Sequence, residues 1–184
     1  IYVAGTDEGR ELAFSLAHRG WHVSELWLMV RREPPRRVPP AAARIDGEPL
    51  RRLKGRLGVE QGLDPASVPE FDRYDALRAR VGARLTHAGV ANGTAVALAD
   101  LYLRGDIAVI EDVATLRRFR GRGYGSAAVL SATAAAFRVS ARAVYLFAAP
   151  KVARGFYERL GFERIFTTYD CLRAPEGEHG QWRE

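Results

Sequence analysis

The chain has 184 residues, 47% of them apolar, and a formal charge of +6. That length suits one domain, or one domain with an appendage, and gives a substantial core. No run of eighteen apolar residues occurs, which excludes a helical membrane span, and a single cysteine, Cys171, excludes an internal disulfide and suits a reducing cytoplasm.

In chain order, IYVAG at 1–5 reads as a short strand followed by a helix that ends near Gly20-Trp21. HVSELWLMVRR then reads as a strand-like pair. Residues 33–40, EPPRRVPP, are too proline-rich for a helix or a central strand and read as a linker. Segment 48–63 is helical around Leu50, Leu53 and Leu57, with interruptions expected at Gly55 and Gly58. Residues 64–70 read as loop and 71–80 as a further helix. Residues 84–90 and 95–103 alternate as paired strands, and Asn92-Gly93 between them is a hairpin turn. Arg104-Gly105-Asp106 turns the chain into a strand at 107–115, IAVIEDVAT. A glycine-rich turn leads to a helix whose Ala127, Leu130, Ala134 and Phe137 recur at helical spacing and are expected in the core. A strand at 144–149, a helix, and ERIFTTYDCLR as a last strand pair complete the order. Propensity alone implies a mixed α/β class.

The first and last parts echo each other. IYVAG matches VYLFA at 144–148, Gly20-Trp21 matches Gly161-Phe162, and both units end in a strand closed by arginine. Two strand–helix–strand units can resemble each other by chance, but four successive elements agree in order, so a partial duplication is expected, with the divisions 1–32 as a structural repeat, 33–40 as linker, 41–175 as the main domain and 176–184 as a tail. The chain begins Ile1-Tyr2-Val3 without a secretory pattern, and residues are expected to have preceded Ile1.

The turn after residue 115 carries the most chemistry. Gly121, Gly123 and Gly125 precede a helix start, where free N–H groups and the helix dipole both favour an anion. Arg117, Arg118, Arg120 and Arg122 surround it, so a polyphosphate is the expected guest. Glycine turns before helices also serve plain chain reversal. A Walker loop is excluded, since no lysine follows a glycine at the required spacing. A dinucleotide fingerprint at Gly123, Gly125 and Ala128 lacks the acid about twenty residues on that would hold a ribose.

R-G-R-G-Y-G at 120–125 resembles the R/Q-x-x-G-x-G/A acyl-CoA pyrophosphate loop of the GCN5-related N-acetyltransferases (GNAT superfamily), with Arg120, Gly123 and Gly125 at the defining positions. Val113-Ala114-Thr115 stands where that family has an apolar-Ala-Val strand end. Ala153, Tyr157, Gly161 and Phe162 match a second motif in the same order and spacing. The match is strong from about residue 83 to residue 173 and loose elsewhere. It implies the acyl-CoA N-acyltransferase fold, a mixed, mostly antiparallel central sheet flanked by helices. It also implies acetyl-CoA as co-substrate, bound by Val113, Thr115, Arg120, Gly121, Arg122, Gly123, Tyr124, Gly125 and Ser126.

Glu111 is the candidate general base, because a carboxylate in an apolar strand would be pushed toward neutrality by burial. A salt-bridged strand residue is the plain alternative. Asp112 falls on the opposite face of a regular strand and is the reserve base, unless a bulge changes the alternation. The IEDVAT string resembles a segment of glucosamine-6-phosphate acetyltransferases, whose glutamate lies near the reacting amine; their sugar substrate is not carried over. By its family match Tyr157 is the acid for the departing thiolate, and a backbone N–H at Val113 or its neighbour polarises the carbonyl. Pro150 replaces the asparagine common seven residues before that tyrosine, which removes a polar contact and a backbone donor.

The resemblance implies transfer of an acetyl group to a primary amine of a small molecule or peptide, with a non-catalytic acyl-CoA-binding or scaffold module as the alternative. The resemblance implies an acceptor pocket built from about 48–80 and 163–173, whose Glu60, Asp64, Glu70, Asp72, Asp75 and Asp170 could receive a cationic amine; acidic surface helices without that role are equally common. Nucleic acid is not expected, since the arginines are dispersed and an anionic co-substrate accounts for the charge. His18, His22, His87 and His179 are scattered, so no metal is expected. Lys54 and Lys151 are the only lysines among 28 basic residues, a bias that points to a GC-rich bacterial genome. Oligomeric state is left open, a homodimer included.

Overall fold

The computed structural model describes residues 1–64, Leu77 and 83–173. The helix expected over 71–80, apart from Leu77, lies outside those residues, as do most of the 64–70 loop and the 176–184 tail. The chain forms two compact units, Val30–Leu146 and a second built from Ile1–Met29 with the residues from Phe147 onward.

The larger unit is a mixed, mostly antiparallel sheet with a helix on each face. It contains β3 (Ala42–Ile45), α2 (Gly47–Glu60), β4 (Ala83–Ala91), β5 (Thr94–Arg104), β6 (Ile107–Thr115), α3 (Tyr124–Arg138) and the start of β7 (Ala143–Ala148). The strand order is β7-β6-β5-β4-β3. Asn92 (φ 47°) and Gly93 (φ 76°) form the two-residue turn that suits the right-handed twist of β4 and β5. Gly105 (φ 61°) reverses the chain into β6. β6 and β7 are parallel, a pairing that needs a crossover, and α3 supplies it.

α2 lays Leu53 and Leu57 against Val96, Leu98, Ala91 and Leu116, with Leu50 and Ile45 at the edge of the cluster. The helix runs unbroken through Gly55 and Gly58, contrary to the expected interruptions. Each glycine costs about 1 kcal/mol of helix propensity, and burial of two leucines outweighs that, at about 1.5–3 kcal/mol each.

On α3 the buried residues are Ala127, Ala128, Val129, Ala132, Thr133, Ala135 and Ala136. Of the expected core stripe only Ala127 is buried; Leu130, Ala134 and Phe137 are half-buried. A helix that is apolar almost all round has no phase to read, and close approach to the sheet selects its smallest residues. Gly89 marks how close that approach is, because a Cβ there would lie 2.3 Å from the Tyr124 carbonyl oxygen.

The second unit holds β1 (Tyr2–Ala4), α1 (Asp7–His18), most of β2 (His22–Arg31), a helical stretch at 150–160, and β8 (Glu163–Leu172). β8 lies between β1 and β2, and β1 pairs with it antiparallel. Thr6 caps α1 by accepting from the Gly9 N–H at 3.1 Å. HVSELWLMVRR and ERIFTTYDCLR, read as strand pairs, each form one ten-residue strand instead. Each of the two segments compared runs strand, helix, glycine, aromatic and strand, and Gly20 and Gly161 are both left-handed at φ 83° and 77°. The intervening helices differ: α1 is a regular twelve-residue helix, whereas 150–160 begins α-helical, widens to a π-turn and tightens to 3-10. Pro150 occupies the first turn of that stretch, where its missing N–H would have had no helical partner.

His87 on β4 is 3% exposed, and its Nδ1 lies 2.9 Å from Ser131 Oγ on α3. Burial, aided by Arg138 and Arg44 and opposed by Asp100, lowers its pKa from 6.5 to about 4. The folded chain therefore holds neutral histidine while the unfolded chain takes up a proton below pH 6.5. This contribution is complete above pH 6.5 and declines as pH falls toward 4, at up to about 1.4 kcal/mol per pH unit. Urea unfolding of wild type and His87→Asn should show a stability gap that narrows from pH 7 to pH 4.5. A gap that widens or stays constant would contradict it.

Candidate active site

The end of β6 departs from a regular strand. Leu98 pairs with Ala114 and Asp100 with Glu111, so β6 takes three steps where β5 takes two. Asp112 in that interval has φ 51°, a left-handed conformation that aspartate tolerates better than most residues. The bulge foreseen as a complication is thus present. Up to Glu111 the alternation is regular, and Glu111 shares a sheet face with Val109. Asp112 sits exposed at the bulge.

Glu111 is half-buried, and its surroundings are not wholly apolar as the strand sequence suggested, for its cross-strand partner is Asp100. Asp100 is fully buried and accepts from Thr86 Oγ1 at 2.5 Å, Arg84 Nη2 at 2.6 Å and Lys54 Nζ at 3.4 Å. Sequence reading missed Asp100, although a lone acid within TAVALADLYL was the available signal. The β6–β7 ladder runs only from Ile107↔Ala143 to Val109↔Tyr145, and residues 110–115 extend past it.

A 3-10 turn at Arg117–Phe119 follows β6. Arg117 builds this corner: its backbone N–H donates to Glu60 Oε2 at 2.8 Å, and its Nη2 donates to the Glu60 carbonyl at 2.7 Å. Glu60, one of the acids considered for a cationic amine, is thereby engaged in joining α2 to the turn. Arg120 Nε donates to the Thr115 carbonyl at 3.1 Å, and the Arg118 guanidinium lies 4.7 Å from the Phe119 ring centre. Arg122 is exposed. The four arginines are therefore not equivalent, because Arg117 and Arg120 shape the loop that Arg118 and Arg122 border.

Gly121 and Gly123 have φ 72° and 83°, conformations that side chains rarely adopt, whereas Gly125 lies within the helix without a positive φ. Gly123 is the N-cap of α3, no side chain caps that end, and the first helical bond runs from the Ala127 N–H to the Gly123 carbonyl at 2.9 Å. The N–H groups of Tyr124, Gly125 and Ser126 thus precede the first intrahelical donor. One strand–turn–helix brings Glu111, Val113, Thr115 and residues 120–126 together within the larger unit.

Tyr157 belongs to the second unit, at the end of the π-turn Ala153–Tyr157. It is 6% exposed and packs edge-on against Phe156 and Phe162, with ring centres 4.8 and 6.0 Å away. Burial pushes its pKa up to about 12, so the phenol stays protonated at neutral pH. Asp170, on β8, pairs with Tyr2 across the β1 ladder. Glu70, Asp72 and Asp75 lie outside the described residues. Among those residues no group of three His, Cys, Asp or Glu side chains could hold a metal, and no helix is long and apolar enough to cross a membrane.

A mostly antiparallel sheet whose interrupted strand runs into an uncapped glycine turn and a crossover helix defines the GCN5-related N-acetyltransferase fold. The acetyltransferase (GNAT) family matches residues 56–162, more than half the chain, and the chain belongs to that family. Among solved structures it is similar to a GCN5-related N-acetyltransferase from Sphaerobacter thermophilus (18% identity, TM-score 0.63), over 94% of this chain and 59% of that one. It is also similar to a conserved protein of unknown function from Staphylococcus epidermidis (16% identity, TM-score 0.68), over 92% of this chain and 69% of that one. A third is AAC(6')-Iy in complex with the bisubstrate analogue CoA-S-monomethyl-acetylneamine (18% identity, TM-score 0.52), over 66% of this chain and 89% of that one. A search of the curated proteins finds no match.

Gly89 sets where the first turn of α3 rests on β4, and hence where its N–H groups point. Gly89→Val should displace that turn and weaken acetyl-CoA binding at least about tenfold, since one lost charge-assisted hydrogen bond is worth about 1.5–3 kcal/mol. Titration calorimetry on a variant folded by circular dichroism checks this; unchanged affinity would show that the turn tolerates the displacement.

Proposed function

We propose that the chain is an acetyl-CoA-dependent N-acetyltransferase that acetylates a primary amine of a small molecule or peptide. The observation that carries the reading is the uncapped start of α3, where three N–H donors, bordered by the exposed Arg118 and Arg122, follow the bulged end of β6 by one short turn. Such a terminus suits the pyrophosphate of a coenzyme A thioester. Residues 113–115, past both the β7 ladder and the bulge at Asp112, offer the strand backbone that an amide-bearing pantetheine arm would line.

Glu111 takes the proton from the attacking ammonium, directly or through one water. A backbone N–H next to the bulge, at Val113 or its neighbour, stabilises the oxygen of the acyl carbonyl as the amine adds. Tyr157 donates a hydrogen bond to the departing thiolate. Its high pKa suits a donor and excludes a base, because the phenol does not ionise in the working range. Asp112 is the reserve base. A cytoplasmic, bacterial setting accords with the cysteine and lysine usage.

Gly123→Val should abolish acetyl-CoA binding in a folded protein. Its φ of 83° costs a side chain about 1–2 kcal/mol, and the resulting shift moves the N–H donors. Calorimetric binding like that of wild type would sink the pyrophosphate assignment. Tyr157→Phe should slow acetyl transfer to a panel of primary amines about a hundredfold with little change in acetyl-CoA affinity. Wild-type kcat/KM should show no falling limb from Tyr157 below about pH 10. If wild type binds acetyl-CoA but acetylates nothing in the panel, the binding-module alternative gains.

A further inference from the structure

We propose that Arg84 and Lys54, gathered on Asp100, are positioning residues that keep the Glu111 carboxylate ionised, ready to accept the amine proton. The inference rests on the reading of Glu111 as the base.

The register fixes the geometry. Asp100 and Glu111 are cross-strand partners, as are Thr86 and Asp100, and Arg84 and Tyr102. These side chains therefore share the sheet face on which α2 packs, where Lys54 reaches Asp100. Two carboxylates directly opposite each other repel and raise each other's proton affinity. Asp100 alone would thus work against an ionised Glu111.

Asp100 is not alone. Its side chain is wholly buried and forms ion pairs with Arg84 at 2.6 Å and Lys54 at 3.4 Å, with side-chain exposures of 11% and 23%. One negative and two positive charges leave the trio with a net charge of +1 beside Glu111. The other described titratable groups that the strands place on this face are the Tyr102 and Tyr145 phenols, Tyr145 being aligned through Val109 on β6, and the exposed Arg104 two steps beyond Tyr102. Asp112, exposed at the bulge, is the remaining nearby acid. The half-buried setting of Glu111 favours the neutral acid, and the cationic trio opposes it. The ion pairs to Asp100 hold both cations on the sheet face that carries Glu111.

A role in charge and a role in packing alone predict different results. Removing the negative charge with Asp100→Asn should make Glu111 titrate lower, and removing a positive charge with Lys54→Met should make it titrate higher. Each shift should be about half a pH unit or more. The side-chain carboxyl signals of ¹³C-labelled glutamate, followed against pH in the full chain, read the midpoint directly. The Glu111 signal is the one lost in Glu111→Gln. Shifts of opposite sign support the proposal; unmoved midpoints, or shifts of the same sign, overturn it. If Asp100→Asn does not fold, Lys54→Met decides alone, because it leaves the Arg84–Asp100 pair in place. A raised midpoint then supports the proposal and an unchanged one overturns it. Failure of the base reading looks different: Glu111→Gln would acetylate primary amines as wild type does, whatever the titrations show.

Discussion

The larger unit depends on one close approach, the first turn of α3 against β4 at Gly89. A β-carbon would meet the Tyr124 carbonyl at 2.3 Å, so backbone lies on backbone with no side chain between. The alanines at 128, 132, 135 and 136 extend that approach along the helix. Their small volume gives up some hydrophobic area and gains a fixed position for the helix axis. An anion site made of N–H donors needs such a fixed axis, because a hydrogen bond weakens steeply with misalignment. The same turn is held from the other end by Arg117, whose two bonds to Glu60 join α2 to the corner after β6. Both helices of the unit thus bear on the position of residues 120–126.

The second constraint is the bulge. An extra residue in β6 ends the regular alternation after Glu111 and places Asp112 in a left-handed conformation outside it. Two adjacent acids thereby receive different surroundings. Glu111 lies opposite an ion-paired partner, and Asp112 lies in solvent. The proposed base and its reserve thus differ in surroundings although their chemistry is the same.

Most of the element order was legible because strong local signals carried it. Asn92-Gly93, Gly105 and the 107–115 strand fell where turn chemistry and alternation put them. The R-G-R-G-Y-G loop was readable because glycine at positive φ is a local requirement. What was not legible depended on distant partners. The phase of α3 is set by the closeness of the sheet, which an alanine-rich sequence does not encode as periodicity. The continuity of α2 through two glycines is set by the leucine cluster beneath it. The part that Arg117 and Arg120 play in shaping the loop was not legible, because their bonds to Glu60 and Thr115 come only with the fold. Asp100 escaped notice because its partners are dispersed over residues 54, 84 and 86.

The Asp100 trio is also unusual as a matter of stability. Taking a carboxylate and a guanidinium out of water costs several kcal/mol per ion, and the attraction between them often does no better than well-packed apolar side chains of the same volume. Leucine and valine fill the adjoining part of the same face without difficulty, at Leu53, Leu57, Val96 and Leu98. Packing alone therefore gives no reason for a buried acid at residue 100. On the proposed reading of Glu111 as the base, charge beside it does give one, because a side chain that exchanges a proton needs a fixed electrostatic environment, and an apolar face cannot supply it. The apolar cluster holds the sheet and α2 together, and on that reading the ion-paired trio serves the chemistry at its edge.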